Sequence, residues 1–142
     1  MTTPAPDVRD AYAEAPPITR ETVALLKMRR ELGDDRPTYY PPASVNEVRE
    51  VLLREAALLD RLALDDSEAM GDAVKAAVEL RDFDTRQGHG PGATFEGVVP
   101  PYASQWEADP RGYVRQEYHR WLTVPPWNSV NPPAAWTQES DR

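Results

Sequence analysis

"SVNEVREVLLREAALLDRLALDDSEAMGDAVKAAVEL", residues 44–80, contains two helix starts and almost no loop between them. Ser44 with Glu47 three positions on is a capping box, each side chain satisfying a backbone donor that the first helical turn leaves free. Val45, Val48, Val51, Leu52, Leu58, Leu59 and Leu62 then recur at helical spacing, which predicts a helix to about Leu64. Glu50 and Arg54 make a favourable i,i+4 pair on its other side. Asp65 to Glu68 is a second capping signal and opens another helix at once. In it Met70, Ala73, Val74, Ala77, Val78 and Leu80 are expected on one face, small enough for close approach. Two helices joined by so short a turn form an αα-hairpin or corner. The expected fold is therefore all-α, with this hairpin at the centre of a small helical core.

Upstream, Thr19 to Leu32 reads as a helix with Thr19 as its cap, Glu21 near the positive end and Lys27, Arg29 and Arg30 near the negative end. Gly33 stops it. Ile18, Leu25, Met28 and Leu32 form its stripe, while Val23 and Leu26 lie off it, so this helix calls for cover on two sides. Downstream, Asp109-Pro110 places an N-cap before a proline at the first helical position and opens a helix to about Leu122. Its apolar stripe is Val114, Tyr118, Trp121 and Leu122.

Prolines punctuate the rest. Ten of the fifteen sit in five doublets, and each doublet fixes two φ angles and removes two backbone donors. The organisation that follows is an N-terminal arm at 1–17 able to dock through Tyr12, and a three-helix core at 18–83. An irregular Gly/Pro connector at 84–108 holds at most a short strand at Phe95–Val99. The fourth helix occupies 109–123, and an extended C-terminal arm 124–142.

The net charge of −8 disfavours nonspecific binding to nucleic acid or an anionic membrane. No stretch approaches the ~20 apolar residues of a membrane span. The absence of cysteine excludes disulfides, thiol catalysis and iron–sulfur clusters. The first residues lack the basic start and apolar run of a secretion signal, so the expected setting is soluble, intracellular or particle-associated. Fourteen of the sixteen bases are arginine, either from coding bias or because arginine suits planar pairing at an interface.

Chemical motifs are sparse, and no catalytic or metal-ligating residues and no cofactor are assigned. "RQGHGPG" lacks the lysine and the preceding strand of a phosphate loop. Asp82 and Asp84 begin like a calcium loop, but Arg86 stands where a ligand belongs. His89 and His119 are too isolated for a zinc site. Arg111 and Arg115 line one side of the last helix, but Glu107, Asp109 and Glu117 cancel their charge. Glu55 falls within the apolar stripe of its helix, between Leu52 and Leu59. It reads either as a carboxylate with a raised pKa or as one paired with an arginine from a neighbouring helix.

Aromatics beside prolines carry the functional expectation. All four tryptophans follow residue 105, and the clusters "TYYPPA", "VVPPYASQW", "TVPPW" and "NPPAAW" share one style. Proline-rich chain loses little freedom on docking, while Trp and Tyr supply large contact area with few torsions to freeze. Tyr39, Tyr40, Tyr102, Trp106, Trp127 and Trp136 are the expected partner-binding residues. The expected role is a non-enzymatic assembly component of a larger complex or particle, such as a virion, gripping protein partners or copies of itself. An accessory subunit of an enzyme is the second reading. A small free-standing enzyme built on His89, Glu55 and the Tyr39/Tyr40 pair is the third.

Overall fold

Ser44 opens the central helix by the expected capping box, its hydroxyl accepting from the Glu47 amide at 3.1 Å while Glu47 reaches back to the Ser44 amide. The computed structural model describes residues 5–33, 38–39, 41–88, 90 and 92–124. Of these, 71% are helical and none is in a strand, so the chain is all-α as the pattern implies. The helices are α1 (Val8–Tyr12), α2 (Ile18–Leu32), α3 (Val45–Asp65), α4 (Met70–Gln87), α5 (Gln105–Ala108) and α6 (Pro110–Thr123). A single 3-10 turn, Ser67–Ala69, joins α3 to α4 in the tight corner that the second capping signal requires.

α3 is buried on two opposite sides. Val51 and Leu58 pack with Leu25 and Met28 of α2, flanked by Ile18 and Leu32. Leu53, Ala56 and Ala57 lie roughly half a turn away, at about 100° per residue. They join Ala77 and Leu80 of α4 and Val114, Tyr118, Trp121 and Leu122 of α6. Each large apolar side chain so buried contributes about 1.5–3 kcal/mol. The alanines add little area but let the helices approach closely. A single stripe accounts for the α2 side of α3 and not for the α4 and α6 side.

Two further details differ from the pattern. Only Ala73, Ala77 and Leu80 of the expected α4 face turn inward, whereas Met70, Val74 and Val78 remain 39%, 37% and 39% exposed. At helical spacing 73, 77 and 80 form one line and 70, 74 and 78 a neighbouring one, and the core is only wide enough for the first. α2 starts one residue before Thr19, its cap position is Pro17, and no side chain caps it.

The N-terminal segment docks where it is described. Ala11 is fully buried, and the Tyr12 ring lies 5.6 Å from that of Tyr118 on α6. α4 runs past Phe83 to Gln87 and ends at Gly88, whose φ of 73° favours glycine. The connector beyond it contains no strand at 95–99 among the described residues. Side chains hold it instead: Arg81 Nε donates to the Pro101 carbonyl at 2.6 Å, and Trp106 Nε1 to that of Pro100 at 3.0 Å.

Candidate functional site

The ionisable residues that the fold buries gather into three clusters. In the first, α3 supplies Arg49, α4 supplies Asp84 and α6 supplies Glu117 and Tyr113. Asp84 continues the inward line of Ala73, Ala77 and Leu80, and Glu117 lies one turn after Tyr113, so helical geometry alone brings both carboxylates inside. Arg49 meets Asp84 through two parallel bonds of 2.9 Å and Glu117 through one of 2.7 Å. Tyr113 and Thr94 donate their hydroxyls to Asp84 at 2.5 and 2.6 Å.

Glu117 also holds the connector. Its two oxygens accept the Glu96 and Gly97 amides at 2.7 Å each, and Gln116 adds a pair of bonds to the Val99 backbone at 3.2 and 2.8 Å. The helix thus offers the connector side-chain donors and acceptors in place of a neighbouring strand. A Cβ on Gly97 would collide with the ends of Gln116 and Glu117 and push them off the bonds they make to the connector.

Burial by itself lowers the pKa of Arg49, but Asp84 and Glu117 more than offset it and the net shift is upward. Burial pushes the Tyr113 phenol up, with Glu117 and Asp84 adding to it, so it stays a protonated donor. Each carboxylate oxygen of Asp84 and Glu117 already accepts two bonds. No lone pair is left for a substrate proton. This cluster clamps three helices and the connector together.

The second cluster centres on Asp60 of α3, which is fully buried. Arg115 of α6 bonds it at 2.9 and 3.1 Å, Arg111 bonds the same carboxylate, and Tyr12 of α1 donates to it at 2.5 Å. The two arginines that could have met phosphate are therefore spent on Asp60. In the third, Arg54 of α3 reaches Glu21 of α2 through two bonds and Glu50 at 3.0 Å, with its guanidinium over the Trp121 ring at 5.2 Å. The Glu50–Arg54 pair exists as spacing predicts, but Arg54 is buried rather than on a solvated side.

The residues that the sequence singled out are dispersed. Tyr39 and Tyr102 are surface residues, 82% and 50% exposed. Trp106 is not displayed: it is 1% exposed, packed edge-on to Tyr113 at 5.7 Å between ring centroids, and belongs to the main core. Tyr40, Trp127, Trp136 and His89 lie outside the described residues. Glu55 pairs with Arg29 of α2, the second of its two readings. His119 is half-buried on α6. Among the described residues no group of three or more acidic or histidine side chains could hold a metal ion. No described helix is long and apolar enough to cross a membrane. No family model, no curated protein and no solved structure matches this chain.

Proposed function

We propose that this chain is a non-enzymatic structural component of a larger assembly. Its helical core serves as a rigid block, and its proline- and tryptophan-rich C-terminal segment grips neighbours. The observation that supports this most is on α2. Its inner face is fully used against α3, yet Val23 and Leu26 point outward at 67% and 60% exposed. Adjoining apolar side chains on an outer helix face offer a neighbour area to bury. The ion clusters fit the same role, because buried charges that each span two or three helices favour a fixed shape over a yielding one.

The test is the sedimentation velocity of the full-length chain beside the variant Trp127→Ser/Trp136→Ser. Assembly through the C-terminal segment predicts species larger than a monomer for the parent chain and a shift to monomer for the variant, with unchanged helical circular dichroism. A parent chain that stays monomeric at every concentration would contradict self-assembly and favour the accessory-subunit reading.

A further inference from the structure

Cysteine is absent, so methionine supplies all the sulfur of this chain, at positions 1, 28 and 70. Met28 is in the core at 6% exposed, and Met1 lies outside the described residues. Met70 is the first residue of α4 and stands 39% exposed at the corner where α3 gives way to α4. Among the described residues it is the sulfur that a dissolved oxidant reaches.

That sulfur already has a charged neighbour. Arg111 Nη1, from the first turn of α6, donates to Met70 Sδ at 2.8 Å. The guanidinium is not free to turn elsewhere. Its Nε bonds the carboxylate of the fully buried Asp60, and its Nη2 reaches the Asp60 carbonyl at 3.4 Å, which aims Nη1 at position 70. Asp60 is itself held by Arg115 and Tyr12. A fixed, charged donor thus meets a thioether, which is a weak acceptor. An oxygen on the same sulfur would be a far better match, because hydrogen bonds from a charged donor to a good acceptor are among the strongest in proteins.

We infer that Met70 is a site of reversible oxidation, at which a peroxide converts the thioether to a sulfoxide and Arg111 receives the new oxygen. A lone pair of Sδ attacks one peroxide oxygen; the S–O bond forms as the O–O bond breaks. Sulfur loses two electrons, and the departing oxygen takes up the proton of the transferred one and leaves as water. Arg111 occupies one sulfur lone pair, and the exposure of Met70 leaves the other open to the attack. The unbranched side chain then turns to bring its oxygen to Nη1. Return to the thioether takes two electrons and two protons from a dithiol through a methionine sulfoxide reductase, with the oxygen released as water. Oxidised methionine ordinarily disrupts the packing around it. Here it tightens the tie between α6 and the α3–α4 corner. This holds whether or not the chain assembles.

Hydrogen peroxide treatment of the full-length chain, read by peptide mass mapping and thermal unfolding, tests this. The peptide holding Met70 should gain one oxygen on the order of tenfold faster than the peptide holding Met28, since susceptibility follows exposure. The oxidised parent should keep its helical circular dichroism and melt a few degrees above the reduced parent. Reductase treatment should return it to the starting midpoint. Met70→Leu should show no rise with peroxide, which separates Met70 from Met1. Met70→Gln, whose amide oxygen stands where the sulfoxide oxygen would, should melt above Met70→Leu with no peroxide at all. In Arg111→Ala, where Asp60 keeps Arg115 and Tyr12, peroxide should bring no rise over that variant's own reduced form. The comparison of Met70→Gln with Met70→Leu decides the matter should Arg111→Ala fail to fold. Oxidation of Met28 first, an oxidised parent that melts no higher than the reduced one, equal midpoints for Met70→Gln and Met70→Leu, or a rise that persists in Met70→Leu or in folded Arg111→Ala would overturn the inference.

Discussion

Arg49 on α3 donates from one nitrogen, Nη2, to two carboxylates on two other helices, 2.9 Å to Asp84 on α4 and 2.7 Å to Glu117 on α6. One guanidinium thereby ties three helices, and through Glu117 the 96–97 backbone as well. Such a group is costly to desolvate, so its net contribution to stability is modest while all partners are present. Removing one partner is another matter, because the others stay buried and unmatched.

Asp84→Ala leaves Arg49 Nε and the hydroxyls of Tyr113 and Thr94 without their acceptor, and Arg49 Nη2 with only Glu117. The expected loss is about 3–5 kcal/mol, the range for breaking a buried ion pair. Thr94→Val removes a single donor to the carboxylate and should cost about 1.5–3 kcal/mol, less than the loss of the acceptor itself. Urea unfolding followed by circular dichroism measures both, and equal losses would contradict the central place given to Asp84.

Two tyrosines on α6 should respond oppositely to loss of the hydroxyl. Tyr113→Phe breaks a bond to a carboxylate and should cost about 1.5–3 kcal/mol. The Tyr118 hydroxyl is buried with no hydrogen-bond partner among the described residues, so Tyr118→Phe removes a desolvated group and should be neutral or stabilising. Unfolding midpoints of the two variants decide it, and a large loss at Tyr118 would reveal a partner.

The helix ends were legible because their signals are local: the Ser44–Glu47 box, Gly33 and Asp109-Pro110 each act within one turn. The packing was only half legible. The stripe of α3 that faces α2 stands out as Val51 and Leu58, but its other buried face consists of Arg49, Leu53, Ala56, Ala57 and Asp60, which no hydrophobic count selects. Asp84 had a usable signal, falling at the next position of the 73–77–80 line. Glu117 had one too, one turn after Tyr113. Neither signal is decisive alone, because a charged residue on an apolar line reads as its edge until a partner is found. Arg49 completes the clamp from 35 and 68 positions away, a separation that spacing rules do not span.

Trp106 and Tyr102 separate core from surface within five residues. Trp106→Ala should cost about 3–5 kcal/mol, as removal of a fully buried large aromatic does. Tyr102→Ser should stay within about 0.5 kcal/mol, as surface substitutions do. Thermal or urea unfolding gives both values. A mild effect at Trp106 would mean that it does not sit under the α5–α6 corner.

Glu96 links the clamp to pH. Burial pushes its carboxyl above the ordinary glutamate value, with Glu117 and Asp84 adding to the effect and Arg49 and Arg120 opposing it. The folded chain therefore holds the Glu96 proton more tightly than the unfolded chain does. Stability from that proton is complete below the unfolded-state pKa, about 4.3 for glutamate. It drains away as pH rises from there to the raised folded value, and stays lost at neutral pH. Glu96→Gln keeps the backbone bond to Glu117, 2.7 Å from the amide nitrogen, and removes only the titration. The variant should unfold at higher urea than the parent at neutral pH, by a small margin because the side chain reaches solvent. Below the ordinary glutamate pKa the two should converge, since the parent's Glu96 is then neutral in both states. An advantage that persisted unchanged into acid would assign the gain to packing, and a loss at neutral pH would mean that the charged form of Glu96 is favoured in the fold.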